Sequence, residues 1–297
     1  MKKPTKAIIA AAGFGTRFLP QTKAMPKEMM PIIDKPIIQI VVEELVAAGI
    51  KDIIIVGSSN KRAIEDHFDE ANEDLLSNLR AGGPKKAHLI EMLGDVSKLA
   101  NFVYVRQKGP YGNATPVLSA AHLMTADEPF IYTWADDFFV ATPSRTEQII
   151  QTSQEKNGSV YACKIVQSDA EYSKYGIIAG EPDGPSIMKV SKIVEKPGKE
   201  NTPSNLASVS SYLLDPAILK YIENAAETFD GVGEFGIQPI MQAMIDDGHD
   251  FYAREITDGT YYDTGDKLEY LKTVIDFGLK HEELGPELRE FIKHKLD

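Results

Sequence analysis

A short segment near the amino terminus concentrates the residue types that bind phosphate. Residues 13–31 have the sequence GFGTRFLPQTKAMPKEMMP, and its prolines oppose a continuous helix. The basic loop, residues 17–31, contains Arg17, Lys23 and Lys27. Arginine contacts phosphate oxygens in a bidentate manner and lysine acts as a point charge, so this loop can neutralise a triphosphate. A solvated surface loop is the alternative, which the acidic composition of the chain disfavours.

The basic loop is preceded by the glycine loop, residues 11–16 with the sequence AAGFGT, which follows a nearly continuous apolar run. The backbone N–H groups around Gly13 and Gly15 can approach the phosphates and the base of a nucleotide closely. A dinucleotide-binding fingerprint needs a third glycine where Phe18 stands, and the GK[ST] triplet of a P-loop does not occur. An ordinary strand-to-loop turn remains the alternative for the two glycines taken alone.

Acidic residues follow another apolar run. Asp136 and Asp137 come directly after a predicted strand over residues 130–135. Open α/β sheets bind ligands at the carboxyl ends of their strands, so this position favours a functional role. Asp263 stands two positions before Gly265, in a sequence with the composition of a turn. For all three aspartates the alternative is the capping of a turn.

Alternating strand and helix patterns must position these groups, and they predict an α/β protein with a mainly parallel central sheet and helices on both faces. Apolar runs predict strands over residues 6–12, 52–57, 102–106, 130–135, 159–165, 189–194 and 207–214. Helical spacing predicts helices over residues 37–48, 61–68, 114–124, 146–156, 216–224, 236–246, 267–280 and 286–294. Between residues 68 and 102 the sequence predicts a longer connection containing Gly82, Gly83 and Pro84.

Composition narrows the possible partners. The chain has 297 residues and a formal net charge of -12, and an acidic surface repels nucleic acids and anionic membranes. No stretch approaches the roughly 20 apolar residues of a membrane span, and the first apolar run ends too early for a signal peptide. The single cysteine, Cys163, excludes an intramolecular disulfide and is predicted to be a core side chain. We therefore expect a cytoplasmic protein with neither nucleic acid nor membrane as a partner.

Several blocks in order resemble one known family. Residues 13–39 are close to the pattern G-x-G-T-R-x-L-P-x-T-K-x-x-P-K-E-M of the bacterial UTP:glucose-1-phosphate uridylyltransferases, members of the sugar-nucleotide pyrophosphorylase family. Further matching blocks are residues 59–69, 106–107, 136–137, 175–178, 195–197, 203–207 and 263–265. The resemblance spans nearly the whole chain and implies a Rossmann-like nucleotidyltransferase fold with a strand-rich sugar-binding part.

The resemblance also implies an activity: Mg²⁺-dependent transfer of a uridylyl group from UTP to glucose 1-phosphate, giving UDP-glucose and pyrophosphate. By the matching motifs, the phosphate-binding catalytic residues are Arg17 and Lys27, and the Mg²⁺ ligands are Asp136 and Asp263. The implied nucleotide contacts are Ala11, Ala12, Gly13, Gly15, Gln107 and Gly112. The implied sugar-phosphate contacts are Gly176, Glu195 and Lys196, with a surface ion pair as the alternative for the last two.

A single domain over residues 1–297 is expected, with a nucleotide-binding part at about 1–140 and a sugar-binding part at about 141–265. The helices of residues 266–297 are candidates for contacts in a homodimer or homotetramer, since relatives in the family are commonly oligomeric.

Two longer segments depart from the family pattern, namely GPYGNATP at residues 109–116 and GEFGIQP at residues 233–239, and a third departure is the sequence TWA at residues 133–135 before Asp136. The same chemistry with dTTP or galactose 1-phosphate therefore stays open as an alternative. The other alternative is a regulator that binds a nucleotide sugar without catalysis. Such a regulator is expected to lack phosphate-binding or metal-binding groups, whereas Arg17, Lys27, Asp136 and Asp263 are all present.

Overall fold

The structure, a computed structural model, describes residues 1–296 as an α/β fold built around one large sheet. Its strands are β1 (Lys6–Ala11), β2 (Pro31–Ile32), β3 (Lys35–Pro36), β4 (Asp52–Gly57), β5 (Asn101–Arg106), β6 (Phe130–Trp134), β7 (Asp137–Ala141), β8 (Ser159–Ile165), β9 (Gly176–Pro182), β10 (Ile187–Glu195), β11 (Leu206–Leu214), β12 (Phe251–Glu255) and β13 (Gly259–Asp263). Its helices are α1 (Ile37–Ala47), α2 (Arg62–Phe68), α3 (Glu73–Ala81), α4 (Ala87–Ser97), α5 (Thr115–Ala120), α6 (Arg145–Lys156), α7 (Ile218–Thr228), α8 (Ile237–Asp246), α9 (Lys267–Lys280) and α10 (Gly285–Leu296). The predicted α/β class is confirmed.

The nine-stranded sheet has the order β5-β4-β1-β6-β11-β8-β12-β10-β9. In its first part β1 pairs in parallel with β4 and β6, and β5 extends this arrangement. Beyond β6 the sheet is mixed, because β11 is antiparallel to β6 and β8, and β10 is antiparallel to β12 and β9. The predicted mainly parallel arrangement therefore holds for the first part of the sheet, whereas the second part is mostly antiparallel. The chain between β9 and β10 is too short for the crossover that parallel neighbours need, so these two strands form a hairpin.

Helices cover both faces of the sheet, as predicted. Along β1, Ala7 and Ile9 belong to one apolar core together with Val41 of α1. Ile8, which points to the opposite face, belongs to a second core together with Val117 of α5. All five side chains are fully buried. Burial on both faces explains why β1 has a continuous apolar sequence instead of an alternating one.

Two helices occupy the part of the chain that the sequence predicts as a long connection, so that prediction was wrong. Gly82 ends α3, Gly83 has a φ of 75°, and Pro84 begins a short turn before α4. Glycine and proline here mark the boundary between two short helices. Leu79 is the one buried side chain of α3, and α4 has none among the described residues, so neither helix presents the broad apolar stripe that reveals a helix in a sequence.

Cys163 is fully buried in β8, as the sequence predicts. Burial raises the pKa of its thiol well above the ordinary value, which leaves it unreactive. Within residues 1–296, no helix is both long enough and apolar enough to span a membrane.

Candidate active site

Two clefts open side by side at the carboxyl ends of β1 and β6. The glycine-loop cleft has a volume of about 300 Å³ and the carboxylate cleft a volume of about 280 Å³, and Trp134 lines both. The glycine-loop cleft is lined by Ala10, Ala12, Gly13, Phe14, Thr16, Lys27, Glu28, Gln107, Tyr111, Gly112, Asn113, Pro116, Tyr132, Trp134 and Glu234. The carboxylate cleft is lined by Arg17, Trp134, Asp136, Asp137, Lys174, Tyr175, Gly176, Glu195, Ser208, Val209, Ser210, Tyr212, Gln238, Tyr261, Asp263 and Gly265.

The structure brings most of the predicted site residues to these clefts. Those in the glycine-loop cleft are Ala12, Gly13, Lys27, Gln107 and Gly112. Those in the carboxylate cleft are Arg17, Asp136, Gly176, Glu195 and Asp263. Ala11 is buried at the end of β1, Gly15 lies in the glycine loop without lining a cleft, and Lys196 lies outside both clefts.

The glycine loop folds against the basic loop. Gly15 has a φ of 64°, in the left-handed region that glycine adopts without strain, and its carbonyl accepts a hydrogen bond from Thr22 Oγ1 at 2.6 Å. A Cβ added at Gly13 would lie 3.7 Å from Lys27 Nζ. The ammonium group of the basic loop thus packs against Gly13, and the two loops together form one wall of the glycine-loop cleft.

Gly112 is restricted by a neighbouring backbone. A Cβ at this position would lie 2.2 Å from the carbonyl oxygen of Phe235, which no side chain tolerates. The N–H of Phe235 donates to the carbonyl of Tyr111 at 2.7 Å, and the N–H of Ala114 donates to the carbonyl of Phe235 at 3.0 Å. The two longer segments that depart from the family pattern are therefore packed on each other as one unit beside the glycine-loop cleft.

An ion pair crosses the boundary between the clefts. Lys27 lines the glycine-loop cleft, Asp136 lines the carboxylate cleft, and Lys27 Nζ contacts Asp136 Oδ2 directly. Burial by itself would lower the pKa of Lys27, but the negative charges of Asp136, Glu28 and Asp137 outweigh burial and raise it. Lys27 is therefore a permanent cation where the two clefts meet.

A two-stranded ribbon formed by β7 and β13 brings the acidic residues together. Asp137 and Asp263 are direct partners in its antiparallel register. The N–H and Oγ1 of Thr264 donate to the carbonyl of Asp136 at 3.0 and 2.6 Å. Asp136 Oδ2 and Asp263 Oδ1 lie 3.6 and 3.0 Å from the position that a Cβ on Gly265 would occupy. The two predicted metal ligands thus converge on the space that Gly265 leaves open, and Arg17 Nη1 lies 3.6 Å from the same position.

Asp137 lies beside this convergence point, and the sequence motifs assign it no metal. Its Oδ2 accepts a hydrogen bond from the Tyr261 hydroxyl at 2.8 Å, whereas its buried Oδ1 has no partner among the described residues. Burial, followed by the charge of Asp136, raises the pKa of Asp137 to about 7. Acidic groups with raised pKa values in a cleft are typical of functional sites.

Lys174 is a cation of the carboxylate cleft that the sequence motifs missed. Its Nζ lies 2.5 Å from Asp263 Oδ2, and the Tyr175 hydroxyl donates to the same oxygen at 3.1 Å. Burial by itself would raise the pKa of Asp263, but the hydrogen bond from Lys174 and further contacts lower it. The position of Lys174 directly before the matching block of residues 175–178 was the available signal.

The predicted sugar-phosphate contacts lie on the β9–β10 hairpin. Gly176 and Glu195 are direct partners in its register, and Glu195 Oε2 would lie 3.0 Å from a Cβ added at Gly176. Lys196 has a φ of 47°, a backbone conformation that residues other than glycine rarely adopt. Its Nζ lies 3.3 Å from Glu195 Oε1. With its side chain 57% exposed, Lys196 stands at the rim beyond Glu195.

The two carboxylates beside Gly265 suit a metal ion that takes most of its ligands from water and a substrate. Within residues 1–296, no cluster of three or more His, Cys, Asp and Glu side chains is arranged to hold a metal ion. Asp136 and Asp263 supply two convergent carboxylates, and Arg17 Nη1 donates to the carbonyl of Gly265 at 3.1 Å. Mg²⁺ is commonly held by one or two carboxylates together with water and substrate phosphates, so this donor set suits it.

The fold and the paired clefts agree with a comparison against known families. The chain belongs to the nucleotidyl transferase family, whose pattern matches residues 6–277. It is 42% identical over 293 residues to UTP--glucose-1-phosphate uridylyltransferase 2 of Staphylococcus saprophyticus, an alignment that covers 99% of this chain and 98% of the relative. The family membership predicted from the ordered motifs is therefore confirmed.

Solved structures show the same similarity. A UDP-glucose pyrophosphorylase complexed with UDP-glucose superposes with a TM-score of 0.81 and 33% identity, covering 94% of this chain and 100% of that one. A UTP-bound UGPase from Acinetobacter baumannii superposes with a TM-score of 0.84 and 29% identity, covering 97% and 98% of the two chains. The predicted nucleotidyltransferase fold is confirmed by these superpositions.

Proposed function

We propose that this chain is a UTP–glucose-1-phosphate uridylyltransferase, which converts UTP and glucose 1-phosphate into UDP-glucose and pyrophosphate. The observation that carries the proposal is the Lys27–Asp136 ion pair, which joins the two clefts at their boundary. A reaction between a nucleotide and a sugar phosphate needs two neighbouring sites with strong charge stabilisation where they meet. The names and bound ligands of the similar proteins support the same substrates.

The glycine-loop cleft is the proposed nucleotide site. Gln107 and the backbone at Gly112 recognise the uracil edge, and the glycine loop follows the ribose and phosphates. Lys27 lines this cleft and contacts Asp136 of the neighbouring cleft, so the α-phosphate of UTP belongs beside it. The raised pKa of Lys27 keeps it charged at neutral pH, so it can neutralise the charge that develops on the phosphates.

The carboxylate cleft is the proposed sugar-phosphate site. Glu195 accepts hydrogen bonds from sugar hydroxyls, and the absence of a side chain at Gly176 lets the sugar ring approach β9. Lys196 at the rim and Lys174 inside the cleft are the cations available to the sugar phosphate. The conformation of Lys196 favours a functional position, because strained residues persist where a site requires them.

We assign Mg²⁺ to Asp136 and Asp263, whose carboxylates converge on Gly265. The ion would supply charge neutralisation for the phosphates of UTP. In the transfer itself, a phosphate oxygen of glucose 1-phosphate attacks the α-phosphorus of UTP in line. The new P–O bond forms as the bond between the α-phosphorus and the bridging oxygen breaks, and pyrophosphate leaves. Lys27 and Arg17 stabilise the charge, so no protein nucleophile is required.

The first test is pyrophosphate release by the purified protein with UTP and glucose 1-phosphate, alongside dTTP and galactose 1-phosphate. We expect Mg²⁺-dependent release that is fastest with UTP and glucose 1-phosphate. Preference for another pair would assign specificity to the packed unit formed by residues 109–116 and 233–239. No release with any pair, together with binding of UDP-glucose, would instead support a non-catalytic regulator.

A homo-oligomer is the proposed assembly, and α9 offers a surface for it. Leu268, Leu271 and Ile275 are exposed and follow the helical repeat, so they form an apolar stripe on the surface of α9. An exposed contiguous apolar patch commonly marks a contact with another chain. None of the three stripe residues lines either cleft, so its occupation by a second copy leaves the site open.

The double substitution Leu271→Lys and Ile275→Glu is expected to convert a dimer or tetramer into a smaller species, because charged side chains on the stripe must then be buried at the contact. Light scattering after size exclusion measures the change, and pyrophosphate release should persist. A wild-type protein that runs as a monomer at all concentrations would exclude the assembly. Lys272→Glu, which changes a polar neighbour of the stripe, is the matched control.

A further inference from the structure

A buried lysine outside the predicted site residues joins both loops of the glycine-loop cleft. Lys61 Nζ lies 2.8 Å from Glu28 Oε2 and donates to the carbonyl of Gly13 at 2.6 Å. The side chains of Lys61 and Glu28 are only 3% and 1% exposed. One ammonium group therefore ties the glycine loop to the basic loop at Glu28, the residue that follows Lys27.

Stability does not explain this ion pair. Burial raises the pKa of Glu28 and lowers the pKa of Lys61, so the interior disfavours both charges. Glu28 Oε1 is also buried without a hydrogen-bond partner among the described residues. Replacing a buried ion pair of this kind by neutral groups of similar size is often neutral or stabilising. Burying these charges costs free energy of folding. A costly pair that lies next to a site is expected to serve that site.

We propose that Lys61 is a positioning residue for the nucleotide: it fixes the glycine loop through Gly13 and the basic loop through Glu28, and so sets the spacing between the Gly13 backbone and the Lys27 ammonium. Lys61 itself is buried and takes no part in the transfer. Because Gly13 and Glu28 line the glycine-loop cleft and not the carboxylate cleft, the effect of Lys61 falls on UTP and leaves the sugar-phosphate side unchanged. The inference rests on the proposed function of the two clefts.

The position of Lys61 in the chain explains how it reaches both loops. Residues 58–61 connect β4 to α2, and the Lys61 N–H donates to the Ser58 carbonyl at 3.2 Å while its carbonyl accepts from the Ile64 N–H at 2.9 Å. The backbone of Lys61 is thus held at the start of α2, beside the strand next to β1. A side chain leaving a fixed backbone can hold two loops whose regular structure is limited to short 3-10 turns.

The test compares wild type, Lys61→Met and Lys61→Met/Glu28→Gln. We expect both variants to raise KM for UTP and lower kcat/KM for UTP by about tenfold to a hundredfold, since small misplacements of binding groups have effects of this size. KM for glucose 1-phosphate should stay unchanged. The double variant should unfold at the same or a higher temperature than wild type, because it leaves no unpaired buried charge. If Lys61 had only a structural role, its loss would lower the stability of the protein together with its affinity for UTP. Lower affinity with unchanged stability therefore indicates positioning.

Lys6→Met is the matched control. Lys6 is a partly buried lysine that, like Lys61, pairs with a carboxylate, and its Nζ lies 3.4 Å from Asp52 Oδ2 at the opposite end of β1. It should leave both KM values unchanged. UTP binding is also measured by the fluorescence of Trp134, the single tryptophan, which lines both clefts. Wild type that fails to bind UTP overturns the proposed function. The role of Lys61 is overturned if wild type and the double variant bind UTP equally well. It is also overturned if the KM values for both substrates change in parallel.

Discussion

Substituting Lys27 with methionine is expected to lower kcat for pyrophosphate release about a hundredfold, a loss of roughly 3 kcal/mol of transition-state stabilisation. Methionine keeps much of the side-chain length but removes the cation that stands where the clefts meet. The substitution leaves Asp136 without its lysine partner, so the protein should unfold at a somewhat lower temperature. Steady-state kinetics with UTP and glucose 1-phosphate measure the loss, with thermal unfolding measured in parallel.

Lys23→Met is the matched control, because Lys23 belongs to the same basic loop, is exposed and lines neither cleft. Its kcat should remain within about twofold of wild type, as expected for a screened surface charge. Equal losses in the two variants would mean that the loop contributes only a general positive field. A Lys27→Met variant with full activity would show that Lys27 does not stabilise the transition state. It would also contradict the proposal that the reaction takes place where the two clefts meet.

Much of the fold was accessible from the sequence, because buried strands have strong local signals. Residues 52–57 and 267–280 are predicted with the bounds that the structure shows for β4 and α9. Two of the strands that the sequence did not predict carry residues that disfavour strands. β9 begins with Gly176 and ends with Pro182, and β13 begins with Gly259. Such strands form because a neighbour provides hydrogen bonds, which no local pattern records.

The site was predictable to the extent that its residues occur in continuous motifs. The motifs led to the glycine loop, the basic loop and Asp136, all of which reach the two clefts. Three-dimensional pairing supplied what the motifs lack: Lys174 beside Asp263, and Lys61 beside Gly13. Both lysines act through partners distant in the chain, so their importance follows from the fold and not from local sequence. The assigned roles of all these residues remain predictions.

The convergence of two carboxylates on Gly265 gives the second large expected effect. Asp136→Asn and Asp263→Asn should each lower kcat about a hundredfold or more at a Mg²⁺ concentration that saturates wild type. Asparagine keeps the shape of aspartate but removes the negative charge that a divalent cation needs. Both variants should also require more Mg²⁺ for half-maximal activity. Titration of Mg²⁺ in the presence of UTP, followed by Trp134 fluorescence, measures binding separately from turnover.

Asp266→Asn tests whether the effect belongs to the converging carboxylates or to any acid near Lys174. Asp266 Oδ2 lies 3.7 Å from Lys174 Nζ, but its other oxygen accepts hydrogen bonds from the backbone N–H groups of Leu268 and Glu269, both at 3.0 Å, at the start of α9. Asparagine caps a helix about as well as aspartate, so this variant should keep wild-type stability and Mg²⁺ dependence. If Asp263→Asn behaves no differently from Asp266→Asn, Asp263 neutralises Lys174 and holds no metal.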